Sequence, residues 1–351
     1  MAGLKILLKH MCMALALPLL AGGCSPKKRL VEVNDYQLGT HIAIRLVPVK
    51  GRDAAGDARA ELAILREEGR TLDANRDDGL FAHLAERGEY RWVSPDERAL
   101  VEPMLELGIS LARKTDGAFD PALGTLSRLW GFSSLTPRRE PPNGEELAQA
   151  LGQAGWKRIL RPGPDGFRVV PGTWIDLGGI AKGVLADRMA ARLRRLGYRQ
   201  GILDLGGNIL VLGERPDGGH WRVAVRHPRA GNRWLGMIQV RDRAVVTSGD
   251  YERFFIHNNT RYHHIVNPLT GYPADGVLSV TIVGPEAGIA DALSTAMFVL
   301  GPERGLAVLQ REFPDYHALF VRGGKTGGLQ IQASPGFAGA THWKPAGMTN
   351  L

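Results

Sequence analysis

Four stretches of this 351-residue chain carry residue types at spacings that could do chemistry. In IADALSTAMFVLG, Asp291, Ser294 and Thr295 stand at i, i+3 and i+4, which puts three oxygens on one helix face. A carboxylate beside hydroxyls is a hard donor set. It suits Mg²⁺, which takes few protein ligands and leaves room for water and phosphate oxygens; an ordinary polar helix face has the same pattern. His263-His264 precedes Asn267-Pro268-Leu269-Thr270-Gly271, setting imidazoles beside a turn. Imidazole is a natural general base near neutral pH. Neighbouring strand residues point to opposite faces, so the pair is a poor zinc site, and a structural histidine pair is the plain alternative. In WIDLGGIAKGVLADRMAARL, Trp174 to Leu193, an apolar strand end runs into Asp176, then Gly178-Gly179, then a helix with Lys182 near its start. The glycines let backbone approach a ligand, the unpaired N–H groups of the first helical turn face negative charge, and Lys182 adds a cation. That is the design of an anion site. GAFDP, Gly117 to Pro121, places an aromatic and a carboxylate in one tight turn, compatible with packing a planar ligand.

These residues need elements to position them. Leu38 to Val47 alternates as a strand beginning with LGT, and Asp53 to Glu68 has helical spacing. A polar loop then leads to a short helix before Ser94-Pro95-Asp96-Glu97, a strong helix start. That helix is expected to reach Lys114, with Leu100, Met104, Leu107 and Leu111 on one face. The GAFDP loop leads into a helix ending at Trp130, and Asn143-Gly144-Glu145-Glu146 opens another. Short strands are expected over Trp156–Trp174, and GILDLGGNILVLG repeats Asp-Leu-Gly-Gly at Asp204–Gly207. Further strands are expected over Trp221–Arg226, Leu235–Val240, Ala244–Val246 and Val277–Val283. Helices follow over Glu286–Leu300 and Pro302–Phe313, and His317–Val321 with Leu329–Ile331 close a sheet. Helices alternating with clustered hairpins predict an α+β fold, with mixed or antiparallel sheets flanked by helices in two closely packed lobes, not a regular parallel α/β fold.

Composition narrows the partners. The formal charge is +8, but basic residues mix with acids along the predicted helices and no basic–aromatic stripe occurs, which argues against nucleic acid. Anionic ligands and anionic membrane surfaces remain. Residues 1–23 read as a leader: Lys5 and Lys9 form a basic region, Met11–Leu20 an apolar run too short to span a bilayer, and Ala21-Gly22-Gly23 a cleavage site. LLAGGCS resembles a bacterial lipoprotein signal, with Cys24 as the lipidated first residue. Cys12 leaves with the leader, so the mature chain can form no internal disulfide. Residues 24–34 then form a lipidated tether, whose Lys27-Lys28-Arg29 favours anionic headgroups, residues 35–340 a single domain and residues 341–351 a tail. The expected location is the periplasmic side of a bacterial membrane, inner or outer.

The order of the motifs adds a resemblance. LGT, GAFDPALGTLSRLWGF, DLGGIAKGVLAD, DLGGNILVLG, TSGDYER, HHIVNPLTG and ADALSTAMFVLG together resemble the ApbE family over roughly Leu38 to Phe337. That family comprises FAD:protein FMN transferases, so the resemblance implies a T-fold-related architecture and an Mg²⁺-dependent enzyme. Such an enzyme splits the FAD pyrophosphate, joins FMN through a phosphoester to a Thr or Ser of a partner, and releases AMP. It implies flavin-binding positions at Leu38, Ala118, Phe119, Asp120, Asp176, Lys182 and Ile265. It implies Mg²⁺ ligands at the Gly179 carbonyl, Asp291, Ser294 and Thr295, with Asp291 and His264 catalytic and His264 taking the proton of the acceptor hydroxyl. The implied partners are flavin-acceptor subunits of membrane electron-transfer complexes, such as those of the Na⁺-translocating NADH:quinone oxidoreductase type. The chain departs from the pattern at Leu38 (usually Met), Ala122 (FDPA for FDPT) and Asn267 (usually Asp). At Ala74, followed by Asp77-Asp78-Gly79-Leu80, it lacks an aromatic whose stacking would contribute about 1 kcal/mol. Two other readings keep the fold: an FAD pyrophosphatase, and a non-catalytic flavin-binding lipoprotein. Ala338–Thr341, AGAT, faintly resembles an acceptor motif.

Overall fold

The computed structural model describes residues 30–132, 138–163, 165–324 and 328–347; the leader, Cys24 and Lys27-Lys28-Arg29 lie outside the described residues. The chain enters through a hairpin of β1 (Val31–Gln37) and β2 (Thr40–Leu46). LGT is therefore the turn of a hairpin rather than the start of a strand, and β1 begins inside the stretch read as tether. Its alternation, with Val31 and Val33 half-buried between exposed polar residues, is that of an edge strand. Then come α1 (Ala54–Thr71), capped by the Asp53 side chain, α2 (Leu80–Arg87), β3 (Glu89–Arg91) and α3 (Pro95–Lys114). The expected start of α3 is present, with Ser94 Oγ accepting from the Glu97 N–H. Next are α4 (Gly124–Trp130) and α5 (Gly144–Gln153), the latter opened by a reciprocal capping box between Asn143 and Glu146. β4 (Ile159–Gly163) and β5 (Gly166–Val169) precede α6 (Ala181–Arg195). The strands β6 (Gly201–Leu205), β7 (Asn208–Leu212), β8 (Trp221–Arg226), β9 (Trp234–Val240), β10 (Ala244–Gly249), β11 (Phe254–His257), β12 (Thr260–His263) and β13 (Ser279–Gly284) follow. The chain closes with α7 (Ala287–Glu312), β14 (His317–Gly323), β15 (Leu329–Ala333), α8 (Phe337–Thr341) and β16 (Lys344–Pro345).

An eight-stranded antiparallel sheet, in the order β1-β2-β6-β7-β10-β13-β14-β15, is the frame. Strand periodicity divides its residues between two faces. Leu210, Leu212, Val246, Ile282 and Phe320 bury one face in a core shared with α1, α6 and α7. The intervening Val211, Val245, Val283 and Leu319 bury the other against a small sheet of β8, β9 and β16. The fold is thus α+β with antiparallel sheets flanked by helices. The small sheet of β3, β5 and β4, with α2 and α3, joins the helix-side core through Phe81, Leu84, Phe167 and Val169. A third cluster packs Leu126 and Trp130 of α4 against Leu147 of α5 and Val266.

One further detail differs from the sequence reading, and another agrees with it. The stretch read as a tail begins inside the fold: Thr341 closes α8, and Lys344-Pro345 pair with Met237 and Gly236 of β9. The break expected between two helices at residue 301 is present: α7 is two helical segments joined across a kink at Gly301, whose φ of 69° and ψ of 174° are not helical. α7 is long and apolar enough to cross a membrane by composition, but here it is a core helix with a buried acid, Asp291.

Candidate active site

The α6 N-terminus is reached without a strand. Trp174 to Asp176 are tied to the GAFDP loop by isolated backbone bonds, Gly124 N–H to Trp174 O at 2.9 Å and Asp176 N–H to Pro121 O at 2.9 Å. The expected strand end fails because an irregular loop, not a second strand, lies alongside. Asp176 Oδ1 accepts from the Gly178 N–H at 2.8 Å and shapes the turn before Lys182, in the first turn of α6. A Cβ on Gly179 would lie 3.2 Å from Phe119 Cε2 and 3.6 Å from Thr295 Oγ1. The lack of a side chain at Gly179 thus brings the glycine turn, the GAFDP loop and α7 together at one point.

Within that loop, Phe119 and Ala118 are buried, and the Phe119 N–H donates to Thr115 Oγ1 at 3.1 Å. Asp120, an implied flavin-binding position, also has a structural use. Its Oδ1 accepts from the Ala122 N–H at 2.8 Å and its Oδ2 from the Trp156 N–H at 2.9 Å, so the carboxylate braces the loop. Burial pushes its pKa up to about 6, against the lowering effect of those two donors.

α6 and α7 cross closely at glycines. A Cβ on Gly183 would strike the Ala287 carbonyl, and one on Gly288 would lie 2.6 Å from Val184 Cγ2. At the crossing, the Gly183 N–H donates to Asp291 Oδ2 at 3.0 Å. Burial raises the Asp291 pKa; Lys182, then the nearby Asn208 amide and the Gly183 N–H, favour its charged form. Asn208 Nδ2 is itself buried and reaches no partner with hydrogen-bond geometry. Ser294 is fully buried, donates to the Asp291 carbonyl at 2.7 Å and pairs with Ser248 Oγ at 2.7 Å. Its hydroxyl is engaged inside α7 and with β10. The Asp291 carboxylate and the Thr295 hydroxyl remain, and Gly179, beside Thr295, carries a backbone carbonyl that would join them. These are hard donors, and a buried carboxylate with so little compensation suits a small divalent cation. Among the described residues no three His, Cys, Asp or Glu side chains form a metal cage, so a cation here would take one carboxylate and neutral oxygens.

The histidines separate cleanly. His263 Nδ1 accepts from the Ile265 N–H at 3.3 Å, so Nε2 carries the proton and donates to the Ala274 carbonyl at 2.7 Å. The ring stands edge-on to Phe298 at 5.4 Å, and burial holds its pKa down. It is structural. His264 is half-buried, and its Nδ1 is enclosed without a hydrogen-bond partner. Burial, then Arg253, His263 and Lys182, lower its pKa to about 3. Lys182 therefore acts on both Asp291 and His264. Ile265, next in the chain, is buried.

Leu38 adopts φ 54° in the hairpin turn, a strained conformation for a side chain of its size, and its Cδ2 fills the space over Gly69. Arg253 Nη2 reaches within 3.1 Å of where a Gly39 Cβ would be, linking this turn to the TSGDYER segment. The Arg253 carbonyl accepts from the His264 N–H at 3.1 Å, and Arg253 lines a cavity of about 360 Å³ with Phe132, Arg138, Arg139 and Phe255. A cavity of about 400 Å³ near His220, Arg243 and His342 involves none of these motifs.

Two of the departures from the family pattern, Asn267 and Ala74, sit in defined local hydrogen bonds. Asn267 Oδ1 accepts from the Leu269 N–H at 2.9 Å, a turn-forming bond that Asp would make equally. Ala74 is buried, and its carbonyl accepts from Trp174 Nε1 at 2.9 Å, while the Arg128 guanidinium lies 4.1 Å over the Trp174 ring. Thr341 is fully buried and donates to the Phe337 carbonyl at 2.7 Å, a poor flavin acceptor. Sequence reasoning missed Asp187, Asn208, Ser248 and Arg253. All four lie inside motifs already singled out, Asn208 directly after the second DLGG, but only the fold brings them to the α6–α7 crossing and to His264.

The chain is similar to known proteins over most of its length. The ApbE family model matches residues 38–320. A Treponema pallidum protein named FAD:protein FMN transferase is 38% identical over 325 residues, 86% of this chain and 87% of its own length. A Vibrio cholerae protein of the same name is 29% identical, over 86% of this chain and 91% of its own. The crystal structure of an ApbE protein from Thermotoga maritima is similar at a TM-score of 0.79 and 32% identity, over 89% of this chain and 99% of that one. On the family match over residues 38–320 and the 38% identity to the Treponema relative, the chain belongs to the ApbE family.

Proposed function

We propose that this chain is an Mg²⁺-dependent FAD:protein FMN transferase, lipid-anchored through Cys24 and acting on redox subunits that face the periplasm. One observation carries the reading: the glycine turn before Lys182 meets Phe119 of the GAFDP loop and Thr295 of α7 at Gly179, and the buried Asp291 carboxylate accepts from the N–H of Gly183, the residue after Lys182. A cation, a buried carboxylate and a hydroxyl thus stand together at a helix N-terminus. The names of the relatives support the same activity.

The α6 N-terminus and Lys182 would receive the FAD pyrophosphate, and Ala118, Phe119 and Ile265 would pack its planar ring. Asp291, Thr295 and the Gly179 carbonyl would hold Mg²⁺, which when bound neutralises pyrophosphate charge. His264 accepts the proton of a Ser or Thr hydroxyl as its oxygen forms the new bond to the FMN phosphorus. The P–O bond between the two phosphates breaks, and AMP leaves with the electron pair. An imidazole with a pKa of about 3 is a weak base. Burial is the main cause of that low value; Arg253 and Lys182 add to it, and bound pyrophosphate would offset the part due to these two cations.

The test is to incubate the purified chain with FAD, Mg²⁺ and an acceptor domain. Covalent flavin fluorescence on the acceptor is expected. Free FMN without labelling would convert the reading to a pyrophosphatase, and retained intact FAD to a carrier. Replacing Cys24 by Ser should move the protein from the membrane to the soluble fraction, and unchanged membrane attachment would refute the anchor.

A further inference from the structure

α6 and α7 cap one another. Asp291 of α7 accepts from the Gly183 N–H, in the first turn of α6, at 3.0 Å. Asp187 of α6 accepts from the first two N–H groups of α7, Ala287 at 3.0 Å and Gly288 at 2.8 Å. In each helix the donor stands four residues before the acceptor, 183 and 187 in α6, 287 and 291 in α7. The helices touch where the donors lie, since Gly183 and Gly288 each admit the partner's backbone or side chain. The arrangement is a local twofold, with each helix start satisfied by a carboxylate from its neighbour. α7 has no cap of its own: Glu286, at the N-cap position, makes no side-chain capping bond.

The two carboxylates do different work. Asp291 faces the Lys182 charge and the proposed cation site, whereas Asp187 fixes only the start of α7. One helical residue is a rise of about 1.5 Å, and Mg²⁺ demands near-ideal geometry at about 2.0–2.1 Å, so a slip of α7 by a fraction of a residue would separate Asp291 and Thr295 from Gly179. We propose that Asp187 is a positioning residue for the metal site, holding α7 in register with α6 so that Asp291, Thr295 and the Gly179 carbonyl converge. This role rests on the metal reading given above.

The test uses Mn²⁺ as a spectroscopic probe, titrated into the full mature chain with FAD present and acceptor absent, free Mn²⁺ being read by electron paramagnetic resonance. Asp187→Asn keeps one acceptor oxygen but turns an NH₂ toward an N–H of α7. Its half-saturating Mn²⁺ should rise about tenfold or more, the range typical for groups that orient a metal ligand. Transfer at saturating Mg²⁺ should recover toward the wild-type rate, placing the defect in metal affinity. Asp187→Glu, which keeps the charge, should lie between wild type and Asp187→Asn, and it is the variant to read if Asp187→Asn does not fold. Wild-type Mn²⁺ affinity in the folded variants, whatever their thermal stability, would overturn the proposal and leave Asp187 a brace of the fold. Failure of the wild type itself to bind Mn²⁺ would overturn the metal reading, and this role with it.

Discussion

Replacing Gly183 with Ala should destabilise the protein, although the same change in an exposed helix interior stabilises by about 1 kcal/mol. The added Cβ would strike the Ala287 carbonyl and lie 2.8 Å from Gly288 Cα, both backbone atoms of α7 that no rotamer change can move. Overpacking of this kind costs about 1–3 kcal/mol. The helices must separate, which lengthens the Gly183 N–H bond to the Asp291 carboxylate, a charge-assisted bond whose full loss costs about 1.5–3 kcal/mol. After the propensity gain the net effect is a loss of about 2 kcal/mol. Urea denaturation of the metal-free protein measures it. Gly152→Ala in α5 is the control, since nothing lies within 4 Å of its added Cβ, and it should be neutral or slightly stabilising. A Gly183→Ala protein as stable as wild type would refute the close helix crossing and, with it, the geometry argued for Asp291.

Asp291→Ala should abolish Mg²⁺-dependent transfer, and full activity in that variant would remove the metal assignment. His264→Ala should bind FAD with near wild-type affinity by fluorescence titration while losing acceptor labelling; normal labelling would defeat the base assignment. The pH dependence of stability should carry the signature of Asp120. Its pKa, about 6 when folded, lies above the unfolded value of 3.8, so its contribution is fully present below that unfolded value and is lost as pH rises through about 6. The gap between those two values corresponds to about 3 kcal/mol at most. Relative to Asp120→Asn, the wild type should gain stability as pH falls from about 7 to about 5, on either side of the folded pKa, and parallel denaturation curves across that range would show the carboxyl to titrate normally.

Much of this architecture is legible because local chemistry and tertiary context agree. The α3 start at Ser94-Pro95 and the Asn143 cap are satisfied by bonds within a few residues, so sequence alone finds them. β1 escapes a sequence reading because its polar residues face solvent at a sheet edge, where the apolar signal is halved. For the site, the choice of His264 over His263 cannot be reached from spacing alone. It follows from the Ala274 carbonyl and the Ile265 N–H, which engage both nitrogens of the first ring, while Nδ1 of the second is enclosed and unpartnered. Asp187 and Ser248 stay hidden for a related reason, because their partners lie 100 and 46 residues away. Spacing shows which oxygens share a helix face, but not which of them the fold has already occupied, and Ser294 is the case in point.

Asp-Leu-Gly-Gly occurs twice, and the two copies show what a glycine is for. At Asp204–Gly207 the aspartate accepts from the Gly207 N–H, and Gly206 and Gly207 take φ of 67° and 88° to turn β6 into β7. At Asp176–Gly179 the aspartate accepts from Gly178 instead, neither glycine has positive φ, and a helix follows. The pair before the helix is needed for its missing side chains, the pair between the strands for backbone freedom. Gly207→Ala meets nothing within 4 Å, so its penalty should be the left-handed strain alone, about 1–2 kcal/mol, with FAD and Mn²⁺ affinity unchanged. Gly179→Ala needs no strained backbone, but its methyl would press on Phe119 at 3.2 Å beside Thr295. It should therefore lose ligand affinity with little change in urea stability. Were the two variants to show the opposite pattern, the turn before α6 would be an ordinary structural turn and not a wall of the site.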